Sequence, residues 1–101
     1  MLGKEIYDWE WDESNLAYLG RRGITRRTVR QVAEEGPLFR KNKSGRAATH
    51  LMIGPDRGGK MWTICIVEVQ LQPGLWRAFN GWESDDKDVA WYRRHTGKDL
   101  R

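Results

Sequence analysis

Residues 60–71, Lys60-Met61-Trp62-Thr63-Ile64-Cys65-Ile66-Val67-Glu68-Val69-Gln70-Leu71, are dense in β-branched side chains and almost continuously apolar. Such a run reads as a strand covered on both faces, and therefore as the central strand of a sheet. Taking alternate residues, Met61, Thr63, Cys65, Val67, Val69 and Leu71 make an apolar face that is assigned to the core. The other face, from Trp62 to Gln70, turns polar toward its end and is expected to be partly open. A carboxylate and an amide there need partners or solvent, so a site is expected near that end.

Working outward, the turn Pro55-Asp56-Arg57-Gly58-Gly59 reverses the chain before this strand, and residues 47–54 read as the preceding strand. Gln72-Pro73-Gly74 makes the next reversal, so residues 75–82 form a neighbouring strand of an antiparallel meander. Ser84 is placed to cap a last helix ending at Arg93-Arg94-His95, with Gly97 as its stop. On the N-terminal side, Asp12 and Thr25 each stand before a short helical pattern, and Gly36-Pro37 stops the second. Residues 5–11 and 38–40 suit short strands. The expected architecture is α+β, one domain over residues 1–101: an N-terminal helical pair packed on a mostly antiparallel β-meander, with a C-terminal helix.

The chain has 101 residues, net charge +4 and pI near 9.5, a balance that permits phosphate binding without requiring it. One cysteine, Cys65, cannot form an intrachain disulfide, and two isolated histidines do not cluster as metal ligands, so no metal, zinc or other cofactor is expected. Without an apolar run long enough for a membrane span, the expected location is the cytoplasm. Residues 54–60 lack the spacing of a phosphate loop and read as a hairpin turn. Arg26, Arg27 and Arg30 lie opposite the apolar stripe of the second helix, where a solvated face explains them.

Six tryptophans exceed what a core of this size usually needs, which places some of them at a contact surface. The cations Lys43, Arg46, Arg77, Arg93 and Arg94 interleave with Trp62, Trp76, Trp82 and Tyr92 on neighbouring strands and the helix that follows, as single-stranded nucleic acid requires: charge for phosphates and flat rings for unstacked bases. His50 is suited to act as base or acid, Glu68 as a substitute base.

The run Trp11-Asp12-Glu13-Ser14-Asn15-Leu16, then Arg22-Gly23-Ile24, Ile53-Gly54 before a turn, Arg77 on the following strand and Tyr92 in the last helix together resemble BrnT-type toxins. Those belong to the RelE/ParE-like superfamily of type II toxin-antitoxin systems. The resemblance spans about residues 9–94. Two positions depart from the family pattern: Arg22 stands where a histidine is common, and residues 78–82 lack a second arginine after Arg77. The resemblance implies a metal-independent endoribonuclease acting on mRNA and neutralised by an antitoxin protein. Arg77 and Arg46 would then stabilise the phosphate charge, and His50 or Glu68 would move protons. Lys43, Trp76, Trp82, Tyr92, Arg93 and Arg94 would hold RNA. The alternative is a non-catalytic nucleic-acid-binding or protein-binding adaptor on the same scaffold. The catalytic reading requires Arg46, His50 and Arg77 to meet at one open patch.

Overall fold

The apolar run beginning at Met61 is the middle strand of five. In the computed structural model, which describes residues 5–97, the elements are β1 (Asp8–Trp9), α1 (Glu13–Gly20), α2 (Arg26–Glu34), β2 (Leu38–Lys41), β3 (His50–Pro55), β4 (Met61–Glu68), β5 (Leu75–Glu83) and α3 (Asp86–Thr96). The sheet order is β1-β5-β4-β3-β2. β2 to β5 form an antiparallel meander, and β1 adds to the edge of β5 in parallel. The fold is α+β, with α1 and α2 on one face of the sheet and α3 on the other.

The local signals act where the sequence puts them. Asp12 accepts from the Asn15 N–H while the Asn15 side chain accepts from the Asp12 N–H, a reciprocal cap that starts α1. Thr25 and Thr28 repeat the device for α2. α3 is capped by Asp85 rather than Ser84, because the Ser84 hydroxyl is engaged with Thr63 at 2.8 Å. Gly97 ends it at φ +68°, a conformation glycine adopts at no steric cost. β4 stops at Glu68 instead of reaching Leu71, which turns out at φ +63° and is 92 % exposed.

Met61, Thr63 and Cys65 are buried as expected, but the face expected to be partly open is buried as well. Trp62, Ile64 and Ile66 are buried beneath Leu19, Ile24, Val29 and Val32 of the helical pair and its turn. The reason is coverage: two helices close that face, whereas the opposite face, bearing Met61 and Cys65, has α3 alone. Gly81 permits the close approach, since a Cβ there would meet Ile24 Cδ1 at 2.6 Å and Thr63 O at 3.0 Å. α3 is fastened by buried Asp88, which accepts from Arg40 at 2.7 Å and from the Thr63 hydroxyl at 2.8 Å. Tyr92, fully buried, donates to Gly36 O at 2.7 Å.

The β3–β4 turn carries an acid-sensitive lock. Burial alone would raise the Asp56 carboxyl, but donation from Trp62 Nε1–H and the Lys60 and Gly58 N–H groups outweighs it and holds the group below 3.8. A depressed folded pKa means the stabilisation is complete above the unfolded carboxylate value and is lost as pH falls through the lower folded value. Asp56→Asn is therefore expected to lower the melting temperature at pH 7 and to lose that difference as the pH falls through the depressed folded value. Equal melting of the two proteins at pH 7 would show that the lock contributes nothing.

One irregularity decides which side chains meet. Along β4 and β5 the pairs run from Trp62 opposite Glu83 to Cys65 opposite Asn80, but Ile66 then faces Ala78. Phe79 is the extra residue of a β-bulge. Without it Arg77 would face Glu68; with it Arg77 faces Val67 and changes sides of the sheet.

Candidate functional site

The bulge and the β2–β3 loop bound an open cleft of about 450 Å³ on the α3 side of the sheet. Lys43 and Arg46 stand on the loop side, Phe79, Asn80 and Trp82 on the β5 side, and Cys65 and Leu51 contribute to the floor. The loop's base is set by Asn42, whose Nδ2 donates to Ala48 O at 2.9 Å and whose Oδ1 accepts from the Lys43 N–H. Lys43 and Arg46 are exposed, and neither enters an ion pair among the described residues. Burial pushes the Cys65 thiol up, with the Arg46 guanidinium opposing, so this sulfur is a neutral floor group and not a nucleophile.

Among the described residues, Asn80 Oδ1 is a buried acceptor without a donor. An unmet acceptor of this kind costs about 1–3 kcal/mol, and a ligand donor reaching it would recover that. Asn80 and Trp82 alternate onto this side, and the bulge adds Phe79, the chain neighbour of Asn80, to the same cleft. The nearness of Phe79 has no signal in the sequence for that reason; Asn80 has none because an amide is unremarkable until its oxygen is buried without a donor.

Of the residues singled out from the sequence, the cleft brings together Lys43, Arg46 and Trp82. His50 lies on the opposite face: it pairs with Ile66, and its ring meets buried Trp76 edge-on at 5.8 Å. Its Nδ1 is 2.8 Å from the Thr49 hydroxyl. Arg77 is 17 % exposed and clasped by Glu10 at 3.1 Å and Asp12 at 2.9 Å. The hydrogen bond from Arg77, followed by that from the Asn15 N–H, holds the Asp12 carboxyl below its ordinary value. The expected meeting of Arg46, His50 and Arg77 therefore does not occur.

Two expected base platforms are interior. Trp76 is 0 % exposed and donates through Nε1 to Glu5 O at 3.2 Å; Tyr92 is likewise 0 % exposed. Neither ring has a face free for a nucleobase. Glu68 accepts from the Gly74 N–H at 3.0 Å, beside Glu5 and Tyr7, and so supports the β4–β5 reversal away from the cleft. Arg93 and Arg94 are exposed in the last turn of α3, where positive charge suits the helix C-terminus.

Among the described residues no group of three or more His, Cys, Asp or Glu side chains is arranged to hold a metal ion, and no helix is long and apolar enough to cross a membrane. Neither protein-family models nor curated proteins match this chain.

Proposed function

We propose that this protein is an RNA-directed, cytoplasmic toxin-type protein that holds single-stranded RNA in the α3-side cleft. Arg46 and Lys43 engage a phosphate, Trp82 and Phe79 lie against a base, and Asn80 Oδ1 accepts from a base amino group after a rotation of the amide. The observation that carries this reading is the convergence on one open cleft of two cations without ion-pair partners, two rings and the Asn80 amide, whose buried oxygen lacks a donor. Phosphates require the first, unstacked bases the second, and base edges the third. The resemblance to BrnT-type toxins supports the same ligand and implies an antitoxin partner.

The three-residue catalytic arrangement read from the sequence is lost, since His50 and Arg77 stand apart from Arg46; a second and reduced reading, cleavage of the bound RNA by charge stabilisation alone, rests on the guanidinium of Arg46 at the cleft wall. In such cleavage the ribose 2′-oxygen gives up its proton and bonds to the adjacent phosphorus, the bond to the 5′-oxygen breaks, and that oxygen takes a proton. Arg46 stabilises the added negative charge. With His50 and Glu68 outside the cleft, the protons exchange with water, and the rate is expected to rise with pH without a histidine limb near 6.5.

Both layers are tested by incubating the protein with single-stranded RNA in EDTA. Binding that weakens with salt at a log-log slope near −0.7 per phosphate contacted supports the RNA reading. Fragments ending in 2′,3′-cyclic phosphate support cleavage; bound but intact RNA removes cleavage alone. Absence of RNA binding at low salt from folded protein overturns the proposal and leaves a protein-binding adaptor.

A further inference from the structure

A second hollow, of about 260 Å³, adjoins the cleft and shares Ala47, Phe79 and Asn80 with it. Its remaining wall comes from Ser14, Asn15, Tyr18 and Arg77. Here Arg77 offers no spare charge to a phosphate, because Glu10 and Asp12 already clasp it. Asn15 is equally committed: its Nδ2 donates to Glu10 O and Ala78 O, and its Oδ1 accepts from the Asp12 N–H. What the hollow presents is flat and apolar, chiefly Tyr18 and Phe79. Tyr18 is 50 % exposed, one of three large apolar side chains left open among the described residues.

From this arrangement we infer that the hollow is a second nucleotide subsite, in which Tyr18 stacks a base while the neighbouring base lies in the cleft beyond Phe79. The inference rests on the RNA reading above and specifies its ligand: at least a dinucleotide, straddling the Phe79 bulge. The phosphate joining the two nucleosides crosses at the shared boundary, where Ala47 follows Arg46 in the chain. Arg46 lines the cleft and not the hollow, while at the hollow Arg77 is neutralised by Glu10 and Asp12, so charge sorts the two subsites: phosphate toward Arg46, base toward Tyr18. Aromatic stacking tolerates any base, so this subsite sets length more than sequence.

The test is calorimetric titration with a uridine mononucleotide and with a dinucleotide whose 2′-hydroxyl is replaced by hydrogen to prevent turnover. The dinucleotide is expected to bind roughly 10-fold more tightly, the gain of one stacked base. Tyr18→Ala should bring the dinucleotide down to the affinity of the mononucleotide, while Tyr18→Phe should keep the gain. Equal affinity for the two ligands, or an undiminished gain in Tyr18→Ala, overturns the subsite and leaves the cleft reading standing. Binding of neither ligand, with the fold confirmed by circular dichroism, overturns the RNA reading and the subsite together.

Discussion

Trp76→Ala is expected to cost about 3–5 kcal/mol of unfolding free energy, the range for removing a large aromatic from a packed core. Trp76 is fully buried among Ile66, Ala78 and the helical pair, and its indole N–H reaches Glu5 O at 3.2 Å. Truncation therefore opens a cavity, removes the edge-on partner of His50 and leaves the Glu5 carbonyl without that donor. Domains of this size hold roughly 5–15 kcal/mol in total, so the variant should approach the limit of folding. Guanidinium denaturation provides the measurement, and Trp76→Phe should recover part of the loss. An exposed base platform would behave otherwise, with a change within about 0.5 kcal/mol and a loss of RNA affinity. That pattern would refute the interior assignment.

Arg46→Ala should do the converse: little change in stability and a large change toward RNA. Arg46 is exposed on the β2–β3 loop and makes no ion pair among the described residues, so its removal is expected to alter stability by no more than about 0.5 kcal/mol. A charge-assisted bond to phosphate is worth about 1.5–3 kcal/mol, which predicts a loss of affinity between roughly 10- and 100-fold. If the bound RNA is cleaved, loss of the group that meets the developing charge should slow the step by about 10²–10³. Arg46→Lys should recover only part, because an ammonium lacks the planar pair of donors. His50→Ala is the contrast, since that ring sits on the other face of the sheet. Should His50→Ala abolish cleavage while Arg46→Ala spares it, the cleft is not the reaction centre.

Much of the candidate site was readable as chemistry and little of it as position. The loop cations Lys43 and Arg46 follow from a polar stretch without periodicity, where side chains have no core to enter. Trp82 was identified with Trp76 on the same grounds of ring and neighbouring charge, yet one rims a cleft and the other is sealed inside. Composition does not separate them, because their difference is the register of β5 against β4. Asn80 carried no signal in the sequence: an amide gains meaning only when its oxygen is buried without a donor.

The element order and fold class were already settled by local chemistry. The caps at Asp12 and Thr25, the reversals around Gly58-Gly59 and Pro73-Gly74, and the apolar run of β4 each act over a few residues, so each is legible from its own neighbourhood. Which side chains share a face was decided by a single unpaired residue, Phe79, together with two helices that close one side of the sheet and one that leaves the other ajar. Strand pairing has a period of two, so one added residue inverts everything beyond it. No local signal in residues 75–83 marks where that residue falls; packing Trp76, Ala78 and Gly81 together beneath the helical pair does, and with it His50 and Arg77 part company.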